Sequence, residues 1–224
     1  MMPQQKSKKI LIYISLFFII ATFNNKNFHQ INFGKIDSIS VEGLDEKNNF
    51  QLIENLNFLE NLNIFLLDEI KIKRIIEANN LVEKYSVLKL YPSSLSIKID
   101  KTNFVALFKK DGNNFLLGSN RKFIKTNQIN KNLPFIFGDF DVESFFKLKN
   151  AMNETNFDFD EVINLFSFKS GRWDIETKYG LLIKLPKKEI KKSLENLQIF
   201  LEANDINKIS KIDLRQSNQI IINE

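Results

Sequence analysis

Val87-Leu88-Lys89-Leu90-Tyr91-Pro92-Ser93-Ser94-Leu95-Ser96-Ile97-Lys98-Ile99 is the stretch on which the fold turns. From Leu95 to Ile99 apolar and polar residues alternate, the pattern of a strand with one buried face. Val87 to Tyr91 is a second strand-like run, and Pro92-Ser93-Ser94 between them is turn chemistry. Two such runs so close together read as a β-hairpin.

Upstream of the hairpin, Ile36-Asp37-Ser38-Ile39-Ser40-Val41 alternates in the same way and stops at Gly43, which predicts a first strand. Asn48 to about Leu62 carries Phe50, Ile53, Leu56 and Leu59, a spacing that suits one face of a helix. Asp68 is an N-cap candidate for a second helix with Ile72, Ile75 and Ile76 on one side. The order is β-α-α-β-β in about 65 residues.

Downstream, strands and turns dominate. Val105 to Lys109 and Phe115 to Leu117 flank Asp111-Gly112, a strong hairpin signal. Asp141 is placed to cap a helix over Glu143 to Met152, with Val142, Phe145 and Phe146 facing inward. Strands are expected at Val162 to Phe168, Trp173 to Thr177 and Leu181 to Leu185, with a turn at Tyr179-Gly180. Pro186 is expected to open a helix reaching Glu202, with Ile190, Leu194, Leu197 and Leu201 as its apolar stripe. Ile209 to Leu214 and Gln219 to Ile222 close the chain as two strands. The expected class is α+β, with a small first domain and a larger, mostly antiparallel β domain that ends in a helix and two closing strands.

The N-terminus has a different character. Lys6, Lys8 and Lys9 precede an apolar run from Ile10 to Phe23, and Asn24, Asn25 and Lys26 follow it. By the positive-inside rule the tail stays in the cytoplasm and the rest is exported. Fourteen residues rise only about 21 Å as a helix, against a hydrocarbon core of about 30 Å. Length alone favours the core of a cleaved signal peptide. Ala21-Thr22-Phe23, however, offers no small-x-small cleavage site, and Lys8, Lys9, Asn24, Asn25, Asn27 and Phe28 can sit at the two interfaces. The expected layout is a tail over 1–9, a membrane anchor over 10–28 that uses Ile10, Leu11, Leu16, Phe17, Phe18 and Phe23, a first domain over 36–104 and a β domain over 105–224.

Charge and composition remove other classes. The chain carries 32 basic and 27 acidic residues, a net +5. Three of those lysines precede the apolar run, which leaves 29 basic against 27 acidic, a net +2, on the exported part. That is an ordinary solvated surface, and with Arg74, Arg121, Arg172 and Arg215 the only arginines, nucleic acid is not an expected partner. The absence of cysteine removes disulfides, thiolate metal sites and thiol nucleophiles. His29 is the only histidine and has no companion ligands, so neither a metal nor another cofactor is expected. Asp139, Asp141, Asp158 and Asp160 read as caps and loop residues rather than as the carboxylate pair of a glycosidase. Arg172-Trp173 reads as a core Trp on a strand beside a solvent-facing Arg.

Several of these stretches resemble the FtsQ/DivIB family of bacterial cell-division proteins. The first strand ends in Val41-Glu42-Gly43, similar to the family's Val-x-Gly, and Asn63 to Asp68 resembles the hydrophobic step before the second helix of its POTRA domain. The Val87 to Ile97 stretch resembles the family's strand-Pro-x-x-Leu-strand hairpin. Leu133-Pro134, Gly138, Arg172-Trp173, Gly180 and Ile209 to Arg215 are similar to patterns of its β domain. The resemblance implies a single transmembrane anchor, a POTRA domain and a β domain, in a non-enzymatic inner-membrane assembly protein concentrated at the septum. It implies FtsB and FtsL as partners, other divisome proteins through the POTRA domain, and contact residues Arg215, Gln216, Asn218, Ile220, Ile222 and Glu224 at the C-terminal strand. A β-branched strand at a chain end suits this role, because an open edge can accept a partner strand. The rival classes are a POTRA chaperone or secretion module and an anchored cell-wall hydrolase. The first would continue into a membrane barrel, and the second would need an acid/base or nucleophile set.

Overall fold

The lysines and the apolar run share one helix, α1, which spans Gln4–Thr22. The computed structural model describes residues 4–22, 34–127, 132–204, 209–216 and 219–223. No helix among these is long and apolar enough to cross a membrane. Lys6, Lys8 and Lys9 occupy the start of α1, so its apolar part begins at Ile10 and rises about 20 Å by Thr22. The expected anchor over 10–28 is thus helical as far as Thr22, while Phe23 and His29 lie outside the described residues.

The chain divides into two compact units, residues 1–75 with 86–98 and residues 76–85 with 99–224. A three-stranded sheet is built from β1 (Ser38–Glu42), β2 (Val82–Leu90) and β3 (Ser94–Lys101), in the order β1-β3-β2. β1 runs parallel to β3, setting Ile39 beside Leu95 and Val41 beside Ile97. Parallel neighbours need a crossover, and two helices supply it: α2 (Glu46–Leu56) and α3 (Glu69–Ala78). The carboxylates of Asp45 and Asp68 accept N–H groups of the first turns, from Asn48 and Lys71. Leu52, Leu56, Ile72, Ile76, Leu95 and Ile97 are buried.

Two expectations for α2 need correction. It stops at Leu56 rather than Leu62, a 3-10 turn over Asn57–Leu59 follows, and Asn61 takes a left-handed φ of 64° to reverse the chain. Its buried face is Leu52 and Leu56, while Phe50 is exposed. A spacing of three drifts off one face of a 3.6-residue helix, and a spacing of four, from Leu52 to Leu56, is what points at the sheet.

The other sheet has nine strands: β4 (Phe104–Lys110), β5 (Asn113–Gly118), β6 (Phe123–Thr126), β7 (Phe135–Phe137), β8 (Val162–Ser167), β9 (Trp173–Thr177), β10 (Leu182–Lys184), β11 (Lys211–Asp213) and β12 (Ile221–Asn223). Their order is β12-β11-β10-β9-β8-β7-β4-β5-β6. Most neighbours are antiparallel, but β4 with β7, β7 with β8 and β10 with β11 are parallel. Asp111 and Gly112 both take positive φ, 49° and 78°, the twist that a two-residue hairpin between β4 and β5 requires.

Two helices, α4 (Val142–Asn153) and α5 (Ile190–Ala203), supply the rest of this core. Phe145, Leu148, Met152, Leu194 and Leu197 join Leu165, Trp173, Ile175, Ile183 and Ile212 in one buried cluster. Asp141 caps α4 as expected, its carboxylate accepting the Ser144 N–H at 2.8 Å. Pro186 does not open α5. The helix begins at Ile190 behind Glu189, whose φ of 57° is left-handed and turns the chain out of the strand.

Candidate functional site at the C-terminal edge

β12 is the last strand of the nine, and among the described residues nothing pairs with its outer side. Inside, it pairs antiparallel with β11, with Lys211 opposite Asn223, Ile212 opposite Ile222 and Asp213 opposite Ile221. Ile221, Ile222 and Asn223 are all exposed. The outer side is therefore a short row of backbone donors and acceptors available to another strand.

Beside this edge lies a groove of about 400 Å³. One wall is α5, through Ile199, Phe200 and Ala203, and the other is the segment that carries Leu214, Gln219 and Ile220. Ile199 is 67% exposed, although it lies on a helix whose stripe is buried at Leu194 and Leu197. A strand added to β12 would direct alternate side chains to opposite faces of the sheet. One set would meet this groove and the other the opposite face.

That opposite face is charged. Asp174 on β9, Lys184 on β10 and Asp213 on β11 are cross-strand neighbours, and the row ends at Ile221. Burial pushes the Asp174 carboxyl up, against the pull of Arg172, Lys184 and Arg215. Arg172 Nε lies 3.3 Å from Asp174 Oδ1, but neither of these two atoms makes an aligned hydrogen bond, so the attraction between them is one of charges. Asp213 moves the other way: hydrogen bonds from the Arg215 side chain outweigh its burial and hold its carboxyl below the ordinary carboxylate range. Arg215 Nε donates to both carboxylate oxygens at 2.8 and 2.9 Å, and Nη2 also reaches Oδ2.

A carboxyl depressed by folding adds stability above its unfolded pKa, and that stability is lost as pH falls through the folded value. Asp213 therefore contributes to acid-side unfolding. Asp174 has the opposite sign, so its ionisation weakens the fold as pH rises through its folded value. Arg215→Ala is expected to raise the Asp213 pKa and to shrink the acid-side stability loss, as read by carboxyl-carbon NMR titration. An unmoved Asp213 resonance would show that the fork is not what holds it down.

Among the expected contact residues, Arg215 is engaged with Asp213, Gln216 is exposed at the groove, Ile220 is half-buried in it, and Ile222 is exposed opposite Ile212. Asn218 and Glu224 lie outside the described residues. Ile10, Leu11, Leu16, Phe17 and Phe18 are exposed on α1. Sequence reasoning missed Ile199 and Phe200. The one available signal was an apolar residue off the stripe of α5. Asp141 and Asp158 act as caps, and Trp173 is buried beside a partly exposed Arg172. No group of side chains suited to a metal ion occurs among the described residues.

The β-α-α-β-β order around the parallel β1–β3 pair defines a POTRA domain, and residues 34–101 match the family model described as the POTRA domain, FtsQ-type. The chain is 23% identical over 196 residues to the cell division protein FtsQ of Rickettsia bellii, covering 84% of this chain and 72% of that protein. To the cell division protein FtsQ of Rickettsia felis it is 23% identical over 232 residues, 95% of this chain and 82% of the relative. The major extracytoplasmic domain of the cell division protein DivIB from Geobacillus stearothermophilus aligns over 47% of this chain and 98% of that one, at 11% identity and a TM-score of 0.33. Residues 34–101 thus carry an FtsQ-type POTRA domain, and over most of its length the chain is similar to FtsQ cell division proteins.

Proposed function

We propose that the protein is a non-enzymatic assembly factor of the divisome, held in the inner membrane by α1 and joined to FtsB and FtsL through the open edge of β12. The single observation that carries this reading is the exposed terminal strand beside the α5 groove, which together offer backbone pairing and side-chain pockets for one incoming strand. The relatives' names supply the setting, cell division. A POTRA domain over 36–104 would hold further divisome contacts, and a β domain over 105–224 the FtsB site. The anchor reading rests on α1 being apolar all round and exposed from Ile10 to Ile20, a surface that needs lipid. Its shortness is met by snorkelling of the exposed Lys9 and by local thinning of the bilayer.

Ile222→Pro removes a backbone donor from the outer side of the edge strand, and Ile199→Asp places a charge at the groove. Each is expected to weaken binding of the FtsB periplasmic segment by at least about tenfold, roughly 1.4 kcal/mol. Titration calorimetry reads the affinity and circular dichroism the fold. Wild-type affinity in both folded variants would remove the edge from the mechanism, and a fluorescent fusion that fails to gather at the septum would remove the divisome role.

A further inference from the structure

The chain enters the POTRA domain beside an uncovered aromatic pair. The Gly34 carbonyl accepts the Ile64 N–H at 2.6 Å, Ile36 N–H donates to the Leu62 carbonyl at 3.0 Å, and Asp37 N–H donates to the Ser93 carbonyl at 2.8 Å. This leading segment is thereby fixed between the loop before α3 and the β2–β3 turn. A Cβ on Gly34 would stand 3.2 Å from the Phe65 ring. That ring stacks on Tyr91, with centroids 5.2 Å apart and planes 20° apart.

The pair is not part of a core. Phe65 is 55% exposed, Tyr91 60%, and the neighbouring Leu66 and Ile70 are 82% and 72% exposed. Ile64, between Asn63 and Phe65, is fully buried, so the turn is anchored while its two following side chains stay outside. The acids nearest in sequence are occupied: the Asp68 carboxylate accepts the Lys71 N–H, and Glu69 pairs with Lys89 at 3.1 Å. Lys35 adds an exposed cation next to Gly34.

What covers this patch follows from the length of the chain before it. α1 ends at Thr22 and the domain begins at Gly34. Eleven residues, 23–33, join them and can span at most about 40 Å. Their sequence includes Phe23, Phe28, Ile31 and Phe33, apolar side chains that favour a bilayer over water. The end of the domain that meets this tether is the end that carries Phe65, Leu66 and Tyr91.

We infer that Phe65, Leu66 and Tyr91 dock into the headgroup region of the bilayer that holds α1, so that the POTRA domain lies on the membrane through this patch. The inference rests on the anchor reading given above. Docking fixes which end of the domain faces the lipid, and a domain held so has far fewer orientations in which to meet a partner than one swinging on a tether.

The absence of cysteine makes the test clean. Full-length chain carrying Leu66→Cys, Tyr91→Cys, Phe17→Cys or Glu54→Cys, each with a nitroxide label, is reconstituted into phosphatidylcholine vesicles with about one quarter phosphatidylglycerol. Collision rates with oxygen and with a water-soluble nickel chelate report depth. Labels at 66 and 91 are expected to show severalfold less nickel access than the label at 54, with oxygen access raised. Adding Phe65→Ser should return the label at 91 to water with circular dichroism unchanged. Water-like labels at 66 and 91 beside a lipid-buried label at 17 would overturn docking and leave the anchor standing. A water-like label at 17 would overturn the anchor and docking together. Loss of both oxygen and nickel access at 66 would mean a protein surface covers the patch, which also overturns it.

Discussion

Trp173→Ala will lower the unfolding free energy by about 3–5 kcal/mol, the range for a large aromatic side chain deleted from a core. Trp173 is 1% exposed on a central strand of the nine. It makes edge-to-face contacts with Phe140 and Phe145, at centroid distances of 6.1 and 6.3 Å, and these fix the seat of α4 on the sheet. Its indole Nε1–H donates to Ser144 Oγ at 2.9 Å, in the first turn of α4. Alanine loses the buried surface, leaves a cavity and strands the serine hydroxyl. Against a total of about 5–15 kcal/mol for ordinary domains, the loss is a large fraction. Trp173→Phe keeps most of the packing, so its cost should be smaller, with about 1 kcal/mol of it from the missing hydrogen bond. Because Trp173 is the only tryptophan, denaturant unfolding is followed by circular dichroism. A midpoint for Trp173→Ala within error of Trp173→Phe would mean that the indole is not packed as described.

The parts of the fold legible in the sequence were those set by local chemistry. Pro92-Ser93-Ser94 and Asp111-Gly112 announce their turns because few residues take those backbone angles, and Asp68 and Asp141 announce their helices because short carboxylates cap orphan N–H groups. β7 was not legible. Phe135-Ile136-Phe137 is three apolar residues without alternation, and its partners Leu107 and Leu165 are far away in sequence. A strand with parallel neighbours on both sides gives no period to read. The start of α5 misled for a related reason. Pro186 has the angle of a first helical residue, but the left-handed turn at Glu189 is demanded by where the helix must sit.

The same division runs through the candidate site. That a short β-branched strand ends the chain is plain from Ile220, Ile221 and Ile222. The groove is a product of tertiary structure, since Ile199 and Ile220 come to line one groove only after α5 has packed and β11 has entered parallel to β10. The Asp174, Lys184 and Asp213 row likewise needs three strands in register. Arg215 could be singled out from sequence, but not its engagement with Asp213, which lies two residues back and is aligned with it only by the fold.

Gly138→Ala will cost about 2–5 kcal/mol, from two separable sources. Gly138 has a φ of 85°, which alone costs an L-residue about 1–2 kcal/mol. In addition, a Cβ there would stand 2.4 Å from the Ser167 carbonyl oxygen, a backbone atom that has no rotamer in which to retreat. Ser167 ends β8 and its hydroxyl donates to the Asp139 carbonyl at 2.9 Å, so the two chains are tied together just where the methyl would enter. Relief requires β7 to move away from β8, and β7 lies inside the sheet between β8 and β4. Gly180→Ala is the matched control: its φ is 80°, and an added Cβ meets nothing within 4 Å. It should show the left-handed cost without the collision. The difference between the two variants, measured by denaturant unfolding with Trp173 fluorescence, isolates the close approach of β7 to β8. Equal costs would mean that the strands do not approach so closely, whereas a larger cost at Gly138 makes this glycine a steric requirement of the sheet that carries the edge strand.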